Sequence, residues 1–403
     1  MSGSEPMSSA ARPAPGARLA QLRKERHLTQ DQLAAAAAIS KSLLSKIEVG
    51  DRPLTPATAA ALGRAMGLSM ADVQGLTPPT AAQESVVDDL RAAMRDYDLP
   101  RKREVSGQEV RQRLRQTEEL RNAVDLARLM PLLPGLLRDA TSHAHRSNTS
   151  ESWALLGEVY SVVYWLAARH RWLDMAEVAV ARETWAAEQM DNPLFSAVAA
   201  RDRAGTYLNF GDCENGLVVV ERAISDAESR LSGDRRDIAV GLLNLRGMTL
   251  AGRLPDHREA RREAHRHMQY AEHAASHFSR EFKVHGLSFG RKNTFTHRFA
   301  TLIDLGESRS ALALADDIAV PLSGLPATRR APSFINQARA RVSLNDNDGA
   351  LESLARAWDI APQLVRIHPM AQEVLRVVDS RHKRSNPLLT RLLELAGTGN
   401  RGS

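Results

Sequence analysis

The chain has 403 residues, of which 43% are hydrophobic, enough for two or three well-packed domains. Its 54 Lys and Arg residues exceed its 48 Asp and Glu by six, so an affinity for polyanions requires that this excess be concentrated in one region. The single cysteine, Cys213, excludes an internal disulfide framework and a cysteine-based zinc site, which is typical of a cytoplasmic protein.

The N-terminal residues 1–16 are rich in Ser, Pro and Ala and predict a disordered leader. They lack the apolar core of a signal peptide, and no apolar run in the chain approaches the ~18 residues of a membrane span. We therefore expect no membrane partner and a cytoplasmic location. Residues 1–75 hold nine Lys or Arg against six Asp or Glu, which places a modest basic surplus near the N-terminus.

Helix-like segments follow one another from the leader to the end, without a series of alternating β-branched runs joined by hairpin turns. The pattern predicts an all-α protein. A charged segment, 84–128, has sparse Leu and Val and suggests connecting helices rather than core. The predicted divisions are the leader (1–16), five short helices (17–75), a linker with connecting helices (76–150), a helical-repeat domain (151–396) and a tail (397–403).

Two short helices are predicted within "TQDQLAAAAAISKSLLSKIEVGDR", residues 29–52. Thr29 and Gln32 have the spacing of a capping box at the start of the first helix, and Ser40 caps the second. Only Ala38 and Ile39 separate the two helices, and the alanines allow them to cross closely. The pattern predicts a helix-turn-helix, whose second helix presents its N-terminal residues to the major groove of DNA.

The run from "LAQLRKERHLTQ" to "GLSMADV" resembles the phage-repressor-type helix-turn-helix of the xenobiotic-response-element family, over residues 17–75 and in all five helices. The resemblance implies that Gln30 grips a DNA phosphate and that Arg23 and Glu48 form a buried ion pair. Family members usually have Gly where this chain has Ala38. If that backbone has a positive φ, the alanine costs about 1 kcal/mol.

The same resemblance implies which residues meet DNA. A lysine donates to guanine O6 or N7 and a serine pairs with several bases, while phosphate contacts position the module. The alternative is that Lys41 and Lys46 are only solvated surface lysines. The residues expected to contact DNA are Gln30, Ser40, Lys41, Ser42, Ser45, Lys46 and Arg52.

A turn motif recurs in the second half of the chain, as "FGDCENGL" (210–217), "LGESRSAL" (305–312) and "LNDNDGAL" (344–351), with a blurred copy "RHRWLDMA" (169–176). The last two copies start 39 residues apart, and repeats of roughly 34 to 45 residues are typical of a helical solenoid. The concave face of a solenoid binds extended peptides or ligands. The alternative is that the repeats only pack together.

This region resembles the tetratricopeptide-like C-terminal domains attached to such repressor modules in high-GC Gram-positive bacteria, most clearly in "FGRKNTFTHRFATLIDLGESRSALALA" (289–315). It is more distantly similar to Gram-positive regulators whose tetratricopeptide domain clamps a secreted signalling peptide with asparagines on inner helices. The alternative for each candidate is an ordinary helix-surface or turn residue. The candidates are Asn209, Asn244, Asn293 and Asn336, with Arg203, Arg246 and Arg298 as anion partners.

Two other signals are discounted. "GLSFG" (286–290) fits the nucleophile motif of hydrolases, but that motif needs a preceding strand, so Ser288 is expected in a turn or cap. His273, His277 and Glu281 have the spacing of a metal site on one helix face, yet the helix also has a complete apolar stripe, so its histidines are expected on the solvated side. The histidines concerned are His257, His265, His267, His273, His277 and His285.

Together these patterns predict a non-enzymatic, cytoplasmic and nucleoid-associated transcription regulator that reads double-stranded DNA. A homodimer on a palindromic operator is expected, because one recognition helix reads few base pairs. The solenoid is expected to sense a signalling peptide or a small molecule, and no metal or cofactor is expected. The alternative is a DNA-tethered scaffold whose solenoid binds a partner protein; a wide apolar groove would favour it, and a deep polar pocket would favour the ligand.

Overall fold

The structure, a computed structural model, describes residues 15–68, 72–73, 81–101, 104–315, 317–381 and 386–397. Within these residues helices follow one another throughout, and one two-stranded hairpin interrupts them. The all-α fold class predicted from the sequence is confirmed, with the hairpin as an addition. Almost all of the predicted leader, residues 76–80 and 102–103 of the predicted linker region and nearly all of the tail lie outside the described residues. No described helix is long and apolar enough to cross a membrane.

Four short helices form the N-terminal module: α1 (Pro15–Glu25), α2 (Gln30–Ala36), α3 (Lys41–Val49) and α4 (Pro56–Met66). The predicted caps are present, since Thr29 and Gln32 form a capping box and Ser40 Oγ accepts a hydrogen bond from the backbone of Leu43 at 3.1 Å. Each cap satisfies an N–H group that the helix start leaves open. Of the predicted fifth helix only residues 72–73 are described. The module core includes Leu19, Leu33, Leu44, Ile47 and Leu62.

The charged segment after the module packs more closely than expected. Val87, Leu90, Val110 and Leu114 are all buried in one core with the first solenoid helices. The expectation that this segment connects domains without joining a core is wrong. Its few apolar residues fall at helical spacing, so a narrow stripe suffices to bury each helix while most of the charged residues face outward. The elements are α5 (Ala81–Arg95), α6 (Gly107–Ala123), α7 (Leu126–Leu129), a short 3-10 turn (Met130–Leu132) and α8 (Leu133–Ser147).

Antiparallel helix pairs then build the tetratricopeptide-like solenoid predicted from the repeated turns. The first helices of successive pairs, α9, α11, α13, α15 and α18, pack side by side, and we call them the inner helices. Because α18 contacts α6 and α9 contacts α20, the superhelix curls around a central space. The solenoid helices are α9 (Ser150–His170), α10 (Leu173–Glu188), α11 (Pro193–Phe210), α12 (Cys213–Arg230), α13 (Gly233–Ala251), α14 (His257–Ser276), α15 (Arg291–Asp304), α16 (Ser308–Leu312), α17 (Ala319–Leu322), α18 (Ala327–Ser343), α19 (Asn347–Ile360), α20 (Pro362–Ile367), α21 (Pro369–Arg381) and α22 (Pro387–Ala396).

Each of the four repeated turns reverses the chain through one residue in the left-handed region. Gly211 and Gly306 have φ values of 76° and 79°, and Arg171 and Asn345 have 63° and 65°. Glycine and asparagine tolerate this conformation, which explains why the motif keeps a turn residue at this place. The turns follow α9, α11, α15 and α18, so they lie at the same ends of four inner helices.

The hairpin, β1 (Phe282–Val284) and β2 (Leu287–Phe289), lies between α14 and α15. His285 and Gly286 have φ values of 44° and 71°, as a tight two-residue turn requires. Ser288 lies within β2, opposite Lys283, so its predicted place in a turn or cap is wrong. Since the serine is not at a strand-to-helix turn, the geometry of the hydrolase motif is also missing there. Each strand has only three residues, too few for an alternating pattern to be distinctive in the sequence.

Candidate nucleic-acid interface and inner cavity

Helix α3 presents one face to solvent and the other to the module core. Lys41, Ser42 and Lys46 are exposed, whereas Leu44 and Ile47 are buried. Spacings of three and four residues place the buried side chains on one face, opposite the exposed ones. The residues predicted to face DNA bases therefore share one open face.

This open face extends to the start of the helix. Ser40 is exposed and Ser45 is half-buried beside the lysines. Lys41 Nζ lies 2.7 Å from Asp31 Oδ2, but the two side chains are 57% and 67% exposed. An ion pair that exposed is worth about 0–1 kcal/mol, so a DNA phosphate or base can displace it.

Glu48 joins α1 and α2 to α3. Arg23 donates from Nε and Nη2 to the two carboxylate oxygens of Glu48 at 2.7 and 2.9 Å, and Gln30 Nε2 donates to Oε2 at 2.8 Å. Burial alone would raise the pKa of Glu48, but the hydrogen bonds from Arg23 and Gln30 outweigh it and lower the pKa. The ion pair implied by the family resemblance is present. The phosphate contact of Gln30 stays a prediction, since its amide is engaged by Glu48.

The turn between α2 and α3 places a non-glycine residue in a strained conformation. Ala38 has a φ of 53°, in the left-handed region where a Cβ atom crowds the backbone. The family resemblance implies a glycine at this position. The strain expected from the sequence is therefore present.

The helical domain holds the module just after α3. Leu54 N donates to Glu373 Oε1 at 2.8 Å in a buried hydrogen bond, and Arg381 Nη2 donates to the carbonyl of Asp51 at 2.8 Å. Glu373, the acceptor, and Arg381, the donor, both lie on α21 of the helical domain. The C-terminal end of α3 is thus anchored, while its N-terminal face stays open.

The repeated turns also support the module. Gly211 approaches α4 so closely that an added Cβ would lie 2.4 Å from the Cβ of Ala60, and its carbonyl accepts a hydrogen bond from Arg64. Burial lowers the pKa of Arg171, in the first turn, to about 10, and the negative charge of Asp72 in the module opposes that shift. The ends of the inner helices are therefore the surface on which the module lies.

A crevice of about 480 Å³ remains between the module and the turns, lined by Leu43 and Arg52 on one side and by Gly306 and Leu344 on the other. Burial lowers the pKa of Arg381, and the positive charge of Arg52 lowers it further. Arg52, which was predicted to contact DNA, thus lines this crevice in the free protein. Its DNA contact stays a prediction.

The inner helices line a partly open cavity of about 270 Å³ in the centre of the solenoid, which we call the inner cavity. All five inner helices contribute side chains to it, together with α6 and β2. Three of the seven residues predicted to bind ligand line it: Asn209, Arg246 and Asn336.

The two other predicted asparagines lie outside the cavity lining. Asn244 is 1% exposed, donates to the carbonyl of Val240 and hydrogen-bonds to Nδ1 of His267 at 2.8 Å. Asn293, also 1% exposed, donates to the carbonyl of Ser288 at 2.7 Å. Both amides serve packing between neighbouring elements, which is the alternative considered from the sequence.

The two remaining arginines also lie elsewhere. Arg203 is exposed on the opposite face of α11, beside a surface hollow of about 560 Å³. Arg298 pairs with Glu272 at 2.8 Å across two half-exposed side chains. A ligand held in the inner cavity would touch neither residue.

The predicted cluster of histidines differs from expectation at two positions. His285 lies in the hairpin turn and not on the helix, and it is half-buried beside Glu158. His267 is fully buried, and burial lowers its pKa to about 4, so its predicted place on the solvated side is wrong. The helix ends at Ser276, and Glu281 instead accepts a hydrogen bond from the backbone of Lys292 at the start of α15. Among the described residues no cluster of three His, Cys, Asp or Glu side chains is placed to hold a metal.

Sequence reasoning missed most of the basic residues of the inner cavity. They interrupt otherwise small or apolar stretches of the inner helices, such as "WLAARH" and "AVAARD". A charged residue in such a stretch is a signal for a buried site, since arginine is almost never fully buried without a partner. The missed arginines are Arg121, Arg169, Arg201, Arg253 and Arg329.

The comparisons with known proteins agree with the module. Residues 16–76 match the family model described as a helix-turn-helix domain. Together with the geometry of α2 and α3, this match shows that the chain has a DNA-binding helix-turn-helix domain of the kind found in transcription regulators. No curated protein matches the chain significantly.

Two solved structures are similar to most of the chain, one of a cysteine mutant of PrgX and one of a PrgX/iCF10 complex. They are 11% and 10% identical to it and each covers 94% of this chain, corresponding to 99% and 95% of theirs, both with a TM-score of 0.26.

Proposed function

We propose that this protein is a sequence-specific transcription regulator in which α3 reads an operator and the inner cavity senses a small ligand. The observation that carries the proposal is the path of three inner helices. Helix α11 lines the cavity through Asn209 and ends beside the module at Gly211. Helices α15 and α18 likewise line the cavity, and the turns after them border the crevice under α3.

The open face of α3 supplies the chemistry of base reading. Lys41 and Lys46 are suited to guanine O6 and N7, and Ser42 can pair with several bases. The helix lies at the surface of a module that the helical domain anchors at Leu54 and Asp51. Such an anchored module transmits any movement of the turns to the DNA-facing helix.

The proposed regulator binds its operator as a homodimer. One recognition helix contacts only a few base pairs, so two modules on half-sites about one helical turn apart supply the remaining specificity. The operator would then be palindromic, matching the twofold symmetry of the dimer.

Ligand binding would act by favouring one of two positions of the module. A ligand shifts such an equilibrium only by the difference between its affinities for the two states. Coupling of about 1–3 kcal/mol, or roughly 5- to 150-fold in operator affinity, is usual for such systems. The arginine-rich lining of the inner cavity favours this sensor over a scaffold, which would need a wide apolar groove.

The test is selection of binding sites from a randomised duplex pool by the full-length protein at physiological salt. We expect an enriched palindrome with fixed half-site spacing. The Lys41→Ala/Lys46→Ala variant should lose it, and the matched control Lys283→Ala, at an exposed lysine on the hairpin, should retain it. Uniform, salt-sensitive binding without an enriched motif would contradict sequence-specific reading.

A further inference from the structure

The inner cavity has a large excess of positive charge. Asp202 is the one carboxylate among its lining residues in the described part of the chain. A cavity that holds so many cations in the interior of a protein is unusual, because each buried charge costs free energy unless it is paired. The lining arginines are Arg121, Arg169, Arg201, Arg246, Arg253 and Arg329.

Four of these six arginines have at least one carboxylate nearby. Arg201 pairs with Asp202, and Arg246 Nη2 lies 3.9 Å from the same carboxylate, so the two share one negative charge. Arg253 Nε donates to Asp304 at 2.8 Å. Arg121 Nη2 lies 3.9 Å from the Glu118 carboxylate.

Arg169 and Arg329 have no such neighbour: no carboxylate among the described residues lies within ion-pair distance of either side chain. The guanidinium of Arg169 lies over the ring of Trp165 at 5.5 Å. Burial, together with the positive charges of Arg201 and Arg169, lowers the pKa of Arg329 to about 9. The cavity thus concentrates cations that the protein itself does not neutralise.

The unpaired atoms around the cavity are all of one kind. Three buried side-chain atoms in its described lining lack a hydrogen-bond partner, namely Nε of Arg169, Nε of Arg201 and Nδ2 of Asn209. All three are N–H donors. Arg201 is itself only 7% exposed. A ligand that satisfies this lining must therefore bring acceptor atoms and negative charge.

We propose that the inner cavity binds a small phosphate-bearing anion, held by Arg169, Arg201 and Arg329 with Asn209 as a further donor. This proposal names the class of ligand that the same cavity would bind, and the regulatory role of that ligand rests on the proposed function. Binding itself needs only the cavity.

Charge and size favour phosphate over the alternatives. Planar guanidinium groups match both carboxylate and phosphate oxygens, but one phosphate brings up to two charges and three acceptor oxygens to a single point. A peptide would offer one terminal carboxylate and leave most of the cavity charge unpaired. The volume of about 270 Å³ is also at the lower limit of the ~300–1,000 Å³ of sites for drug-sized ligands, which favours a small anion over an extended peptide.

The test is isothermal titration of the full-length protein with pyrophosphate at physiological salt, with ribose 5-phosphate as a second probe. We expect saturable binding of one anion per chain. Tighter binding of ribose 5-phosphate would indicate that the natural ligand is a phosphorylated metabolite. Tighter binding of pyrophosphate would indicate that it is a free polyanion.

Variants locate the site. Arg329→Met should weaken binding about a hundredfold, since it removes charged hydrogen bonds, and Arg169→Met should do the same if the first variant fails to fold. Arg203→Met is the matched control, because Arg203 lies on α11 but is exposed and outside the cavity. It should bind the probes as the unaltered protein does.

Two results would overturn the proposal. One is the absence of saturable binding by either probe at millimolar concentration. The other is binding that survives both cavity variants but is lost in Lys41→Ala/Lys46→Ala, which would place the anion on α3. Operator selection by the same samples separates the two proposals: an enriched operator without anion binding removes only the ligand class, and anion binding without an operator removes only the DNA reader.

Discussion

The cations of α3 and those of the inner cavity are placed in opposite environments. The Lys41 side chain is 57% exposed, whereas Arg201 is only 7% exposed and retains an unpaired Nε atom. An exposed cation is solvated by water and costs little while its partner is absent. A buried, unpaired cation costs stability in the free protein. The exposed group therefore suits a large surface such as DNA, and the buried group suits a small ligand that enters the cavity.

A third arrangement links these two. Arg23 is 9% exposed, and Glu48 neutralises it through two hydrogen bonds. Arg329 is half-buried and has no such carboxylate partner among the described residues. The three arrangements predict different outcomes when the positive charge is removed.

The largest effect is expected from removing the paired cation. Arg23→Met leaves Glu48 buried without its partner, and we expect a loss of about 3–5 kcal/mol in the stability of the module. Arg329→Met removes an unpaired buried charge and should instead raise the stability of the free protein. Hydrogen exchange of individual peptides, measured at increasing denaturant concentration, gives the stability of the module and of the solenoid in each variant. If the two variants shift stability in the same direction, pairing does not distinguish the two arginines.

Acid should weaken the same ion pair without a substitution. The pKa of Glu48 lies below its ordinary value of 4.5 in the folded protein, so its contribution is complete above pH 4.5 and is lost as the pH falls through the lowered value. We expect the module of the unaltered protein to lose protection from hydrogen exchange in this range. In Glu48→Gln this pH dependence should be reduced. An equally steep loss in that variant would assign the acid sensitivity to other carboxylates.

The exposed cations should affect binding and not stability. Lys41→Ala/Lys46→Ala should weaken operator binding by about 2 kcal/mol or more, since base contacts are worth about 1–3 kcal/mol each. The free energy of unfolding should stay within about 0.5 kcal/mol of the original, as is usual for surface changes. Fluorescence anisotropy with a selected operator gives the affinity. Unchanged affinity would mean that both lysines are only solvated.

The smallest effect concerns the backbone between the two helices. Ala38→Gly should stabilise the module by about 1 kcal/mol, because glycine adopts the φ of 53° without strain. Ala35→Gly is the matched control, since it lies exposed within α2 and should destabilise by about 1 kcal/mol. Hydrogen exchange of the module again measures both. Destabilisation by Ala38→Gly would mean that the alanine side chain packs usefully at this turn.

Local features were predictable from the sequence. The caps at Thr29 and Ser40 and the turns at Gly211 and Gly306 depend on neighbouring residues, so short patterns specify them. The Arg23–Glu48 pair spans two helices, and only the family resemblance indicated it.

Features that depend on distant contacts were not predictable. The helix pattern placed the histidines of α14 on one solvated side, but it could not show that α13 covers His267 through Asn244. The inner cavity joins arginines from α6 to α18, which are separated by up to about 200 residues, and no local pattern reports which of them meet. For the same reason only three of the seven predicted ligand residues reached the cavity.

The position of the module across the ends of the inner helices has a consequence for unfolding. In most helical-repeat proteins each repeat contacts only its neighbours, so such proteins can unfold one end at a time. Here the module contacts Gly211 of an early repeat and Glu373 of the last helices, which are 162 residues apart in the chain. Repeats that are not neighbours are thereby tied together, so the array is expected to melt as one cooperative unit, and detaching the module should separate that transition into steps.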